Sequence, residues 1–163
     1  MPIASANGNK YMMTFIDDYT RMCWIYLLKN ESDAFQTFKN FHAWIENDAQ
    51  THIGSLRTDN GKEYTSNEFE NYLCQHGIKH QTTVPYNPQQ NGVAERMNRT
   101  VFNMVRSMLF FKNVKLMFWV DAVLCVVYIR IGVIQVQFFY VLWSVNHEMV
   151  VCYAFLEYKH HIP

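Results

Sequence analysis

An α/β fold, a mixed sheet flanked by helices, is predicted for this 163-residue chain from three observations. Short apolar, β-rich runs alternate with segments of helical period. Turn-forming residues punctuate the boundaries between them. Half of the residues are hydrophobic and 16% are aromatic, enough for a sizeable core under a single sheet. The length fits one domain.

The elements follow in order. Tyr11 to Ile16 and Met22 to Leu28 read as two buried strands, joined across Asp17-Asp18-Tyr19-Thr20-Arg21. From Ser32 to Asn47 the residues Phe35, Phe38, Phe41 and Ile45 recur at steps of three and four, which predicts a helix with one apolar face. Ile53 to Thr58 is a short strand that delivers Asp59 at its C-terminal end. Thr65-Ser66-Asn67-Glu68 has the form of a capping box, followed by an apolar face of Phe69, Tyr72 and Leu73. Gly77 closes that helix in the left-handed conformation. Ile78 to Val84 is the next strand, and Pro85 to Asn91 is too polar and too punctuated for regular structure. Gly92 opens a long helix through Phe111, with Val93, Met97, Val101, Met104, Val105 and Met108 inward; another helix follows near Met117 to Ile129. Ile131 to Val145 is apolar and lacks turn signals, and its reading stays open between helix, buried strand and worn tail.

Composition excludes several function classes. The formal net charge is zero, so the chain is not a globally basic nucleic-acid binder. Charge is local instead: Arg96, Arg99, Arg106, Lys112 and Lys115 form a stripe without an acid, which is either a phosphate-binding face or a solvated one. Cys23, Cys74, Cys125 and Cys152 include no CxxC pair, which argues against a zinc ribbon and a disulfide framework and fits reduced thiols in an intracellular protein. Cys74, His76 and His80 match no common zinc spacing and read as ordinary surface and core residues. Met1 to Lys10 carries no signal-peptide pattern. Asp121, Arg130, Gln135 and Gln137 interrupt the apolar stretch from Leu116 to Val145, so no membrane span is expected.

Two carboxylates carry the chemistry. Asp59 sits in Leu56-Arg57-Thr58-Asp59-Asn60-Gly61-Lys62-Glu63-Tyr64, and Glu95 in Val84-Pro85-Tyr86-Asn87-Pro88-Gln89-Gln90-Asn91-Gly92-Val93-Ala94-Glu95-Arg96-Met97-Asn98-Arg99, with 35 residues between them. Carboxylates on separate elements can converge on Mg²⁺, which prefers hard oxygen ligands, so metal-assisted phosphoryl transfer on nucleic acid is the leading expectation. Glu95 is expected in the first turn of its helix, where the dipole favours it. Asn98 and Arg99 are expected on its face, one turn on. Asn60, Tyr86, Asn91, Asn98, Arg99 and Arg106 are the candidate nucleic-acid contacts. The plainer alternative makes Asp59 part of an Asp-Asn-Gly turn and Glu95 a helix-terminal charge.

These two frames, together with Thr14-Phe15-Ile16-Asp17-Asp18-Tyr19-Thr20-Arg21 and Phe118-Trp119 with Ala122, resemble the integrase catalytic core of copia-type retrotransposons. The resemblance runs from about Gly8 to Tyr128 and places the chain in the retroviral integrase superfamily. It implies a ribonuclease H-like sheet and Mg²⁺- or Mn²⁺-dependent trimming and joining of DNA ends. Asp59 and Glu95 match the second and third members of the family's Asp-Asp-Glu triad. The first Asp lies on an opening strand expected to be missing or incomplete here. Weak metal binding, impaired catalysis and an exposed neighbouring sheet edge are therefore expected. Asp17 and Asp18 match a structural or peripheral strand. The implied partners are the element's DNA ends and target DNA, with homo-oligomers, no membrane, and action in the nucleus. Residues 1–130 are expected to form the partial core domain and 131–163 a diverged tail. The alternatives are a non-catalytic nucleic-acid-binding or self-association domain, and a ribonuclease H-like nuclease acting on RNA–DNA hybrids or junctions.

Overall fold

β1 (Tyr11–Asp17) and β2 (Cys23–Leu28) pair antiparallel, from Tyr11 opposite Leu28 to Ile16 opposite Cys23. The computed structural model describes residues 4–47, 51–59, 61–82, 88–129 and 152–157, with 88–91 and 152–157 described by backbone alone. Asp17 organises the β1–β2 turn: its carboxylate accepts from the Thr20 backbone N–H at 2.9 Å and from the Thr20 hydroxyl. Arg21 takes the left-handed backbone conformation there, with φ 63°, and pairs with Asp18 at 2.6 Å.

A 3-10 turn (Glu31–Asp33) leads into α1 (Ala34–Asn47). Its apolar stripe docks on the sheet through aromatic rings. Phe41 stacks on Phe15 with centroids 4.1 Å apart, and Phe38 lies against Phe69 at 5.2 Å. β3 (Ser55–Thr58) follows, then α2 (Asn67–Gln75) and β4 (Lys79–Thr82). α2 is capped one residue later than the sequence pattern suggests. Ser66 accepts from the Phe69 N–H at 3.2 Å, so the third helical position is Phe69 and the reciprocal carboxylate of a capping box is missing. Phe69 is fully buried in the core. Gly77 takes φ 67° as anticipated, and the N–H groups of Gly77 and Ile78 reach the carbonyls of Cys74 and Leu73 at 3.1 and 2.9 Å.

α3 (Pro88–Phe111) starts four residues before the Gly92 expected from sequence. Proline has no N–H to lose in a first turn and its fixed φ suits one, so Pro88 opens this helix rather than ending a loop. Residues 83–87 of the anticipated loop lie outside the described residues. A 3-10 turn (Leu116–Phe118) precedes α4 (119–129). No helix of the described residues is long and apolar enough to cross a membrane. The apolar segment 131–145 falls outside the described residues.

β5 (Cys152–Glu157) changes the expected sheet. The strand order is β2-β1-β5-β3-β4. β5 runs antiparallel to β1, from Met12 opposite Glu157 to Asp17 opposite Cys152, and parallel to β3, with Thr58 beside Ala154. The edge of β1 expected to stand exposed is therefore paired. α1 and α2 cover one face, burying Met13, Phe15, Phe38, Phe41, Leu56, Tyr64, Phe69 and Leu73. α3 and α4 cover the other, burying Met12, Val101, Val105, Leu109, Trp119, Val123 and Val126.

Candidate active site

β3 is short and cross-linked to β4, which fixes where Asp59 emerges. The parallel register runs from Ser55 beside Lys79 to Thr58 beside Thr82. Side chains tie the same pair: Arg57 donates to Gln81 Oε1 at 2.8 Å, and Thr58 Oγ1 lies 2.9 Å from His80 Nε2. His80 also meets Glu70 of α2 through its other ring nitrogen. Two of the three residues in the Cys74, His76 and His80 group thus have different neighbours, since His76 packs against His42 and Tyr72.

Asp59 is half-buried, and its Oδ1 accepts from the Gly61 N–H at 3.0 Å. Burial pushes its carboxyl above the ordinary carboxylate range, while the Gly61 N–H pulls the other way. Glu63 is raised too, first by burial, opposed by its own backbone N–H, then further by the charges of Asp59 and Glu31. Asp59 and Glu63 are therefore close enough to repel when both ionise. Sequence reasoning singled out Asp59 but not Glu63; the available signal for Glu63 was its place four residues on in the same frame.

Glu95 is exposed and sits in the second turn of α3, not the first, because the helix begins at Pro88. The helix dipole favours a carboxylate mainly in the first turn, so that stabilisation is largely lost here. Its neighbours locate it over the sheet. Ala94 and Met97 pack with Ile16 of β1. One turn on, the fully buried Asn98 accepts from the Thr14 hydroxyl at 3.1 Å. Thr14 pairs with Phe155 of β5, one residue past the Thr58–Ala154 pair, so this row of the sheet is level with Asp59. The N-terminal half of α3 crosses the sheet at the height where β3 releases its acid.

The candidate nucleic-acid contacts divide. Asn60 and Tyr86 lie outside the described residues, and Asn91 is described by its helical backbone alone. Arg99 is exposed beside Glu95, and Arg106 is half-buried further along. Asn98 does not share their exposure. Three residues after Glu95, it falls within the wide buried stripe of Ala94, Met97, Val101 and Val105 and faces Thr14 instead of solvent. Its Nδ2 has no hydrogen-bond partner among the described residues.

The mixed sheet carries Asp59 at the end of β3 and Glu95 on α3, whose neighbouring residues Ala94 and Met97 pack on β1. The chain belongs to the integrase core domain family, which it matches over residues 1–88. It is 53% identical over 123 residues to the retrovirus-related Pol polyprotein from transposon TNT 1-94 of Nicotiana tabacum, a match covering 76% of this chain and 9% of that protein. It is 38% identical over 128 residues to the corresponding polyprotein from transposon RE2 of Arabidopsis thaliana, covering 78% and 9%. The chain thus spans about a tenth of the length of these copia-type relatives. The fold resembles a chain of the simian T-cell lymphotropic virus intasome in complex with PP2A regulatory subunit B56 gamma, with TM-score 0.60, 20% identity, and 90% and 49% of the two chains covered. It also resembles the HTLV-2 integrase catalytic core domain in complex with magnesium, a trimeric form, with TM-score 0.52, 21% identity and 76% of each chain covered.

Proposed function

We propose that this chain is the DNA-processing core of a retrotransposon integrase, with Asp59 and Glu95 as its metal-holding carboxylates. The observation that carries the reading is the state of Asp59: half-buried, raised in pKa, and close to a second raised carboxyl at Glu63. Such a group is strained when ionised, and a divalent cation of hard character relieves that strain. The donor set is all oxygen, which suits Mg²⁺ or Mn²⁺.

When bound, the ion would polarise a phosphodiester and lower the pKa of the attacking hydroxyl. The protein's own groups do the rest. The Gly61 N–H holds one carboxylate oxygen of Asp59 in place. Arg99, exposed one turn beyond Glu95, takes a DNA phosphate and aligns the strand beside the two acids. Mg²⁺ held by one or two carboxylates relies on substrate phosphates for further ligands, so binding is weak before DNA arrives. The partners are the element's ends and target DNA, in the nucleus, with oligomers as the working form.

A second reading, a nucleic-acid-binding or self-association domain without catalysis, draws on the exposed apolar residues Phe110, Phe111, Leu124 and Tyr128 beside the basic stripe. A strand-transfer assay with short duplex ends separates the two. The first reading expects Mg²⁺- or Mn²⁺-dependent product that disappears in both Asp59→Asn and Glu95→Gln. Product that survives in either variant refutes it. DNA binding without product in the parent chain moves the conclusion to the second reading.

A further inference from the structure

We propose that His42, Glu46 and His76 form a second cation site, selective for zinc-like ions and separate from the Asp59 region. Among the described residues, these three form the one His/Cys/Asp/Glu group whose ligand atoms all lie within 4.8 Å of one another. His42 and Glu46 stand one turn apart on α1, with Nε2 3.3 Å from Oε1. His76 comes from the C-terminal end of α2, its ring edge-on to His42 at 4.8 Å between centroids.

The site is built, not merely crowded. His42 is buried, while Glu46 and His76 reach solvent, so an ion has a way in and a fixed ligand to meet. His42 Nδ1 lies 3.0 Å from the Tyr72 hydroxyl. With Nδ1–H donating to that oxygen, Nε2 is left as a lone pair aimed toward a carboxylate oxygen. Two acceptors 3.3 Å apart repel unless a proton or a cation lies between them. Histidines that ligate metals usually have their other ring nitrogen held by a hydrogen-bond partner in this way, which fixes the ring's orientation and tautomer. Two imidazoles and one carboxylate are the three protein ligands of an open Zn²⁺ site, with the fourth position left to water. Imidazole ligands disfavour Mg²⁺, so the two sites sort ions by softness.

The ion would join the end of α1 to the end of α2. The segment so closed, from residue 42 to residue 76, contains β3 and Asp59. Occupancy of the site stiffens the mounting of the acid without touching it, and a ligand that binds only the folded state raises stability with the logarithm of its excess over Kd.

Titration of the full chain with Co²⁺ tests this by its visible d–d absorption. The expected result is one equivalent of bound Co²⁺ with tetrahedral or five-coordinate bands, displaced by Zn²⁺ and untouched by millimolar Mg²⁺. His76→Ala should abolish the bands, and Glu46→Gln should weaken binding; both side chains are exposed, so the fold is kept. Tyr72→Phe should weaken binding by about tenfold to a hundredfold. Asp59→Asn and Cys74→Ser should leave the bands unchanged. Absence of bands in the parent, bands that persist in His76→Ala, or bands lost in Cys74→Ser would each overturn the proposal. Failure at Asp59 and Glu95 leaves this site standing, because its readout is spectroscopic and does not depend on DNA chemistry.

Discussion

The contact between Thr14 and Asn98 makes a sharp test of how α3 is seated over the sheet. Both side chains are fully buried, and one 3.1 Å hydrogen bond joins them. Thr14→Val removes the hydroxyl with little change of shape. It leaves Asn98 Oδ1 unpaired beside an already unpartnered Nδ2. A buried polar group stranded in this way costs about 1–3 kcal/mol. Asn98→Leu alone strands the Thr14 hydroxyl at a similar cost of about 1–3 kcal/mol, offset in part by removal of the orphaned amide. The double variant strands nothing and replaces a half-satisfied pair with apolar contact, so it should match or exceed the parent in stability. The coupling between the two changes is then about 2 kcal/mol or more, within the range for residues in direct contact. Urea unfolding of the four proteins measures it, as shifts in midpoint at constant m-value. Additive effects, with the double variant as unstable as the sum of the singles, would show that the amide and the hydroxyl do not depend on each other and that α3 is seated differently.

Two further outcomes follow from the geometry. Gly77→Ala should cost about 1 kcal/mol: a left-handed Ala loses about 1–2 kcal/mol, partly recovered from the less flexible unfolded chain. Among the described residues, no atom beyond the chain neighbours lies within 4 Å of the added carbon, so a loss of several kcal/mol would contradict the open space there. Asp59 and Glu63 are both held above the ordinary carboxylate range, chiefly by burial, so the folded chain binds protons more tightly than the unfolded chain. Their contribution is present at low pH and is lost as pH rises from the ordinary carboxylate range through the raised folded values. Melting temperature should fall across that window without added metal. Asp59→Asn, which keeps an oxygen for the Gly61 N–H, should flatten the fall; parallel melting profiles for the two proteins would reject the assignment.

Most of the fold was legible because most of it is local. The period of Phe35, Phe38, Phe41 and Ile45 gave α1, and the Gly77 stop gave the end of α2, since each signal lies within a few residues of what it determines. The start of α3 was misread because Pro88 and its polar neighbours carry loop composition while obeying first-turn stereochemistry. Asn98 was placed with Glu95 by one-turn spacing, which ignores how wide a buried stripe can be. β5 was not legible, because its pairing depends on strands far away in sequence. The His42–Glu46–His76 cluster left half a signal: the one-turn pair on α1 was visible, but its third member arrives from another helix.

The placement of β5 sets a timetable for synthesis. Among the described residues, β1 and β3 are joined through a strand made roughly a hundred residues after β3. At about 5–20 residues per second, the ribosome leaves two unjoined half-sheets waiting on the order of 5–20 s. During that wait the facing rims of Tyr11–Asp17 and Ser55–Thr58 offer bare peptide groups to any neighbouring chain. Yield in the cell is then governed less by the finished molecule's stability than by how well those rims are chaperoned until the late strand slides in.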